Sequence, residues 1–229
     1  MSQTVGVVVP AYRPDVPQLR RYVTAVVEGL DPERVVVELD APKDGVPAQL
    51  ADLPAGIERV PYRRGKGAAV TAGFEQLDTD VLVFADADGS TPVASLEAVV
   101  DRVAAGDADL SVGSRRHPDA DVTSHQTFAR RFLGDGFAWL AGRLLTVSLY
   151  DYQCGAKAID ADGWERVVET PIRWEDQPGS TVSPVTDSVA LFKALLTARH
   201  RAKQLSDDRL HTAIAARRES PTALVERER

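Results

Sequence analysis

Three short apolar runs that contain several valines constrain the fold of this chain more than any other feature. The runs are TVGVVV (4–9), RVVVEL (34–39) and DVLVFA (80–85), and each is followed by a turn or loop signal. Such runs are typical of strands buried on both faces of a parallel sheet. Between the first two lies 15–30, whose apolar residues, Tyr22 among them, recur at helical spacing. Strands that alternate with helices predict an α/β fold with a mainly parallel, twisted sheet and helices on both faces.

The rest of the chain continues this alternation and shows no internal repeat. Further helices are predicted at 47–52, 67–77, 93–105, 126–146 and 185–204, and further strands at 57–60, 109–112, 155–159 and 167–173. The length of 229 residues suits one α/β domain. We therefore predict a single domain over 1–215, followed by a charged, frayed tail at 216–229.

Composition excludes several classes of function. With one cysteine, Cys154, and four histidines, neither a disulfide framework nor a cysteine-based zinc site is expected. The net charge of −7 disfavours a nucleic-acid partner. The chain has 22 Asp and 22 Arg against 12 Glu and 5 Lys, a bias that fits either a halophile or a GC-rich genome. Because no transmembrane run or signal peptide is recognisable, we expect a cytoplasmic protein.

The strongest chemical signal is a pair of aspartates directly after the third apolar strand. Asp86 and Asp88 stand two residues apart in ADADGSTP, where their like charges repel each other. A divalent cation would remove this conflict, and hard carboxylate oxygens suit Mg²⁺ or Mn²⁺. The alternative is an acidic loop that caps the helix at 93–105 and needs no metal.

Two weaker signals lie near the ends of other predicted strands. In RRGKGAA (63–69), Lys66 and its flanking glycines precede a helix, whose N-terminus favours an anion. A basic turn without a ligand is the alternative. Tyr12 and Asp40 follow the first and second strands, so they would meet at one sheet edge and hold a nucleobase by stacking and hydrogen bonding. A packed tyrosine and a capped turn are the alternative there.

Taken in order, these segments resemble a known enzyme family. The matching pieces are VVVPAY (7–12), LDAPKDG (39–45), RRGKGAAVTAGF (63–74), VLVFADADGSTP (81–92), VGSRR (112–116), RRFL (130–133), DYQCGAKAI (151–159) and ETPIRWEDQPGSTVS (169–183). The chain is similar to family 2 glycosyltransferases of GT-A fold, close to the dolichyl-phosphate mannose and glucose synthases. The acidic composition suggests a haloarchaeal member.

The resemblance implies a metal-dependent, inverting transfer of a hexose from GDP-mannose or UDP-glucose to a polyprenyl or dolichyl phosphate. The implied nucleotide-sugar set is Pro10, Tyr12, Asp40, Lys66 and Asp86. The implied ligands of Mg²⁺ or Mn²⁺ are Asp86 and Asp88. The implied acceptor-phosphate set is Arg115, Arg131 and Arg173, and the implied catalytic set is Asp86, Asp88, Asp151 and Gln153. Cys154 is expected to pack in the core rather than to act as a nucleophile.

The resemblance weakens after Arg166. Relatives carry a further helix there, with a Phe-Asp-x-Glu-like pattern, whereas this chain runs directly into the strand at 167–173. Gln177 and Thr181 stand where relatives often have basic residues. A weak or inactive relative that only binds a nucleotide or a partner is therefore the alternative function. Peripheral contact with the inner face of the cell membrane stays open, since a lipid acceptor has to be reached.

Overall fold

The computed structural model describes residues 3–123, 128–145, 149–162, 166–175, 192–193, 195–200 and 203, without the side chains of 128–135. It divides into two compact units, each described here by itself. The first unit comprises Met1–Ser124 and Gln153–Gln177, and the second comprises His125–Tyr152 and Pro178–Arg229. The single domain over 1–215 stays a prediction, and the predicted tail at 216–229 lies outside the described residues.

The described secondary structure follows the predicted order closely. The strands are β1 (Val5–Tyr12), β2 (Arg34–Asp40), β3 (Gly56–Val60), β4 (Val81–Ala85), β5 (Leu110–Ser114), β6 (Asp121–Val122), β7 (Ala156–Asp160), β8 (Val167–Pro171) and β9 (Arg173–Trp174). The helices are α1 (Val16–Leu30), α2 (Val46–Leu50), α3 (Lys66–Phe74), α4 (Val93–Ala104) and α5 (Phe128–Leu144). Of these helices, α5 belongs to the second unit and the others to the first. No described helix is both long and apolar enough to cross a bilayer.

A seven-stranded sheet in the order β3-β2-β1-β4-β7-β5-β8 forms the centre of the first unit. Its pairs are parallel except those of β7, which runs antiparallel to β4 and β5. Helices cover both faces, as the alternation along β1 shows. Val7 and Val9 pack in the core with Leu19 of α1. Val8 points the other way, where a Cβ on Gly73 of α3 would lie 2.5 Å from it. The predicted α/β architecture is confirmed.

The first strand is longer than predicted, and this brings two candidate residues together. It continues through Pro10 to Tyr12 rather than ending at Val9. The ladder with β4 stops at Val8, so one side of β1 is unpaired beyond that point and tolerates a proline. Tyr12 is therefore the register partner of Asp40, the last residue of β2.

The structure corrects the single strand predicted at 167–173. It contains β8, which pairs with β5, and β9, which pairs with the unpredicted strand β6. A two-residue strand such as β6 leaves no periodicity that a sequence pattern can reveal. The predicted helix at 185–204 lies mostly outside the described residues, although 192–193, 195–200 and 203 are helical. Six residues, 161–166, connect β7 to β8.

Candidate active site

A cleft opens at the carboxyl ends of β1 and β2, where ligands of parallel α/β sheets bind. Its volume is about 170 Å³, and it is lined by Pro10, Ala11, Tyr12, Asp40, Arg63, Gly65, Lys66 and Ala69. Four of the five predicted nucleotide-sugar residues therefore line one cleft, and the fifth, Asp86, forms an ion pair with Lys66. Three distant segments of the sequence meet here because β1 and β2 end, and α3 begins, at the same edge of the sheet.

The ring of Tyr12 forms a partly exposed aromatic surface in this cleft. Its side of the cleft is cationic, because the guanidinium carbon of Arg63 lies 4.4 Å from the ring centroid and that of Arg13 lies 5.1 Å from it. Tyr12 is 38% exposed, so the tyrosine is not packed away. A planar base can stack on such a surface.

Asp40 has a structural task that the sequence did not reveal. Its Oδ1 accepts a hydrogen bond from Arg64 Nε at 2.8 Å, and its Oδ2 accepts one from the backbone N–H of Gly65 at 2.9 Å. Asp40 thereby fixes the glycine turn that precedes α3. Its carboxylate reaches the cleft as predicted, but both of its oxygens already accept a hydrogen bond from this turn.

Arg64 is held by a second, fully buried carboxylate. Arg64 Nη2 lies 2.6 Å from Glu38 Oε2, and Gln76 donates to the other oxygen of Glu38 at 2.8 Å. Burial opposes the charge of Arg64, but the hydrogen bonds to Glu38 and Asp40 outweigh it and raise the pKa of the guanidinium. We define Glu38, Arg64 and Asp40 as the buried ion triad. The one signal for it in the sequence is a glutamate inside an otherwise apolar strand, RVVVEL.

Asp86 follows β4 directly and is held from three directions. Its carboxylate forms an ion pair with Lys66 Nζ. Its backbone N–H donates to the carbonyl of Gly155 at 3.1 Å. Its side chain also lies against the Cα of Gly155, where an added Cβ would be 1.9 Å from Oδ2 and 2.1 Å from Cγ. Asp86 therefore links the cleft, through Lys66, to the segment that precedes β7.

Asp88 lies in the turn that follows. Its Oδ1 accepts a hydrogen bond from the N–H of Ser90 at 3.0 Å, and its carbonyl accepts one from Gln18 Nε2 at 2.6 Å. Gly89 adopts a φ of +65°, which lets the chain turn there. These contacts define the turn from Asp86 to Gly89, which we call the aspartate turn.

The aspartate turn offers the kind of oxygen ligand that hard divalent cations prefer. Both residues offer carboxylate oxygens, and both carboxylates now use a cation or an N–H as partner. Among the residues that the structure describes, no group of three or more His, Cys, Asp or Glu could hold a metal alone. Two carboxylates with substrate phosphates and waters completing the shell is a common arrangement for Mg²⁺.

A second lysine, Lys157, contacts the same aromatic ring as Lys66, although the sequence analysis gave it no role. Lys157 Nζ is 5.1 Å from the ring centroid of Phe84, and Lys66 Nζ is 5.3 Å from the same ring. Lys157 also donates to the carbonyl of Cys154 at 2.6 Å. Phe84 and Lys157 are register partners across β4 and β7, which places this lysine beside the strand that leads into Asp86. Two ammonium groups therefore contact the ring of Phe84, and one of them, that of Lys66, is paired with Asp86.

The predicted acceptor residues occupy different settings. Arg115 lies over the ring of Trp174, with its guanidinium carbon 5.5 Å from the centroid. Arg173 is paired with Glu175 at 3.0 Å and with Asp121 at 3.9 Å, so its charge is largely compensated. The backbone N–H of Glu175 donates to the carbonyl of Ser90 at 2.9 Å, which connects this strand to the residue after the aspartate turn. The side chain of Arg131 lies outside the described residues.

The remaining predicted residues precede β7. Gln153 is exposed and stands two residues before Gly155, in the first unit. Asp151 is buried and belongs to the second unit. Cys154 is buried in the core, as expected of a packing residue. The catalytic roles of Asp151 and Gln153 stay predictions.

Comparison with known proteins identifies the family. The family model described as Glycosyl transferase family 2 matches residues 6–148, which is more than half of the chain. The chain belongs to glycosyl transferase family 2. The family resemblance seen in the sequence is thus confirmed, and the matched range includes the cleft and the aspartate turn.

Several curated relatives of this family 2 chain are named for sugar transfer. Glycosyltransferase AglD of Haloferax volcanii is 28% identical over 84% of this chain and 36% of its own length. Dolichyl-phosphate beta-glucosyltransferase of Saccharomyces cerevisiae is 27% identical over 59% of this chain and 52% of its own length. Dolichol-phosphate mannosyltransferase of Pyrococcus furiosus is 27% identical over 64% of this chain and 42% of its own length. The chain therefore spans about a third to a half of these relatives.

Solved structures show the same fold at low identity. Glucosyl-3-phosphoglycerate synthase from Mycobacterium tuberculosis, in complex with Mn²⁺, UDP and glucosyl-3-phosphoglycerate, matches with a TM-score of 0.64 and 13% identity, over 86% of this chain and 80% of that one. Mannosyl-3-phosphoglycerate synthase from Rubrobacter xylanophilus matches with a TM-score of 0.65 and 13% identity, over 90% of this chain and 76% of that one. These likenesses confirm the predicted GT-A fold.

Proposed function

We propose that this family 2 chain transfers a hexose from a nucleoside diphosphate sugar to a polyprenyl phosphate, with the aid of Mg²⁺ or Mn²⁺ and with inversion at the anomeric carbon. The observation that carries the proposal is the connection, through the Lys66–Asp86 ion pair, of an aromatic, cationic cleft to a pair of strand-end carboxylates. A base on Tyr12 and a diphosphate beside Lys66 would bring the anomeric carbon near the aspartate turn. The names of the dolichyl-phosphate relatives support the choice of acceptor.

The protein has to position the two reactants and to neutralise the negative charge of the diphosphate. An oxygen of the acceptor phosphate attacks the anomeric carbon, and the bond from that carbon to the diphosphate oxygen breaks. The attacking oxygen is already anionic, so no strong general base is required. Asp86 and Asp88 would hold the divalent cation, which neutralises charge on the diphosphate when bound. Lys66 and Lys157 would add positive charge on the α3 side of β4. Alignment of the two reactants supplies much of the rate.

A second candidate function is nucleotide binding without efficient transfer. Two observations favour it. Arg173 is paired with Asp121 and Glu175, which reduces the positive charge available for an acceptor phosphate. The connection from β7 to β8 holds only six residues, which leaves no room for a further helix of several turns.

Membrane contact at the inner face of the cell membrane and a cytoplasmic location remain part of the transfer proposal.

Thermal unfolding with ligands distinguishes these two functions from a chain that binds no nucleotide. We expect either GDP or UDP to stabilise the chain when Mn²⁺ is present, and the matching nucleotide sugar to do the same. A ligand at a hundred times its Kd adds about 2.7 kcal/mol to the free energy of unfolding. For a chain of this size that is a rise in Tm of roughly 5–11 °C. No shift with any nucleotide and Mn²⁺ would contradict both functions. A shift without hexose transfer to polyprenyl phosphate would support binding alone.

An Asp88→Asn variant tests the metal role. Asparagine keeps the oxygen that accepts from Ser90 but removes the charge, so the fold should be retained. We expect the Mn²⁺-dependent part of the nucleotide shift to disappear and hexose transfer to fall by at least about 100-fold. Asp101→Asn, at an exposed position on α4, is the matched control and should behave like the unmodified chain. Full Mn²⁺-dependent turnover by Asp88→Asn would refute the proposed ligand set.

A further inference from the structure

The two units of the chain carry net charges of opposite sign. The second unit has 12 Lys or Arg against 8 Asp or Glu, a net charge of +4. The first unit has 15 Lys or Arg against 26 Asp or Glu, a net charge of −11. The segment 192–203 alone contributes four basic residues and no acidic one. A basic part of an otherwise acidic chain indicates that this part meets an anionic partner.

Large apolar side chains are exposed on the same basic unit. Seven such side chains are exposed among the described residues, and four of them belong to the second unit, of which far fewer residues are described; these four are Trp139, Tyr150, Phe192 and Leu196. Phe192 and Leu196 stand four residues apart on a helical segment, so they lie on one face of it, whereas Leu195 is buried. Exposed apolar side chains that cluster in this way indicate an interaction surface.

Trp139 and Arg143 on α5 combine the two properties. Trp139 is 63% exposed, and the guanidinium carbon of Arg143, one turn later, lies 4.9 Å from the centroid of its ring. The indole has an apolar body and a polar N–H, which suits the boundary between lipid tails and headgroups, and an arginine beside it can bind headgroup phosphates. Arg199 Nη1 donates to the carbonyl of Leu144 at 3.3 Å, so the helical segment at 195–200 meets α5 at its C-terminal end.

We propose that Trp139, Arg143, Phe192 and Leu196 form a docking surface for an anionic lipid bilayer, which we call the bilayer surface. A bilayer with anionic headgroups is complementary both to the positive charge of this unit and to its exposed apolar side chains. A nucleic acid would match the charge but would leave the side chains of Phe192 and Leu196 in water. The inference rests on the proposed function for its purpose, because a polyprenyl phosphate lies in a bilayer.

Flotation with phospholipid vesicles tests the bilayer surface. The vesicles contain no polyprenyl phosphate, and nucleotide and metal are left out, so the result does not depend on hexose transfer. We expect the unmodified chain to bind vesicles of equimolar phosphatidylglycerol and phosphatidylcholine at least about tenfold more tightly than vesicles of phosphatidylcholine alone. Binding should weaken as potassium chloride rises, over concentrations at which circular dichroism shows an unchanged fold, because salt screens exposed charges.

A double variant locates the binding. Trp139→Gln with Arg143→Gln removes the ring and the charge, and the affinity for the mixed vesicles should fall roughly tenfold or more. The matched control is Tyr62→Gln with Arg59→Gln, which makes the same change in charge at an exposed tyrosine and an exposed arginine of the first unit. It should bind like the unmodified chain. If the double variant unfolds, Arg143→Gln alone should still weaken binding by about fivefold.

The outcomes separate this surface from the proposed function. No binding of the folded chain to mixed vesicles, or equal binding to mixed and neutral ones, would overturn the inference and leave hexose transfer untouched. Equal affinities of the surface variant and its control would show that the bilayer contacts another part of the chain. A dimer in solution that the surface variant abolishes, without vesicle binding, would assign the surface to a second copy. Vesicle binding by a chain whose Tm no nucleotide raises would support the surface and contradict the proposed function.

Discussion

Replacing Gly155 by alanine is expected to remove most of the transfer activity while leaving the chain folded. Gly155 does not adopt a positive φ, so alanine can take its backbone conformation. The cost is steric, because the new Cβ would lie 1.9 Å from Oδ2 and 2.1 Å from Cγ of Asp86. The carboxylate must move away, and its ion pair with Lys66 must move with it. A displacement of about 1 Å at a reacting site can reduce a rate roughly 100-fold.

Steady-state transfer and the Mn²⁺-dependent Tm shift would measure this effect. We expect kcat/KM of Gly155→Ala to fall by about 100-fold and the metal-dependent shift to shrink. The matched control is Gly56→Ala on β3, where the new Cβ would meet its nearest atom, the carbonyl oxygen of Val35, at an ordinary 3.7 Å. That variant should keep its activity.

A double variant shows whether the effect passes through Asp86. An Asp86→Ala background removes the three atoms nearest to the new Cβ, so Gly155→Ala should have little further effect on Tm or on Mn²⁺ binding. Residues in direct contact show such non-additivity, whereas independent sites do not. Additive losses in the double variant would mean that Gly155 acts through another contact, and the positioning of Asp86 would need a different explanation.

The second large effect is expected from Arg64→Met, which breaks the buried ion triad. Glu38 and Asp40 would remain as two buried carboxylates without their shared cation, with side chains 1% and 4% exposed. Removing one partner of a buried ion pair typically lowers the free energy of unfolding by about 3–5 kcal/mol. The Tm should accordingly fall by roughly 6–20 °C. The glycine turn would also lose a support, since Asp40 holds both Arg64 and Gly65.

The neighbouring arginine provides the matched control. Arg63 has the same chemistry but is exposed on the ring of Tyr12. Arg63→Met should change the free energy of unfolding by no more than about 0.5–1 kcal/mol, while weakening nucleotide binding in the cleft. Arg64→Lys should lie between the two, because one ammonium cannot reproduce a fork that reaches both carboxylates. Urea unfolding of the three variants would measure these differences in the free energy of unfolding. Equal losses in Arg63→Met and Arg64→Met would show that the triad has no special stabilising role.

The α/β architecture and the location of the aspartates at a strand end follow from the amino-acid sequence alone. Both are local properties, because apolar runs, helical spacing and the residues that follow a strand are all read within one segment. Four of the predicted nucleotide-sugar residues meet in one cleft for the same reason, since parallel strands share their carboxyl edge; they are Pro10, Tyr12, Asp40 and Lys66. Helical spacing also placed Tyr22 on the buried face of α1, without indicating what would lie above it.

Tertiary structure alone decided the contacts between these segments. Nothing local in VVVEL and RRGKG shows that Glu38 selects Arg64 rather than Arg63, because that choice depends on the packing of α3 against β2. Nothing in QCG shows that Gly155 lies against Asp86. That contact arises because β7 is inserted antiparallel between β4 and β5, so its first residue, Ala156, pairs with Ala85 at the end of β4. Long-range pairing places the start of one strand at the end of another, and a pattern read within one segment contains no information about such a partner.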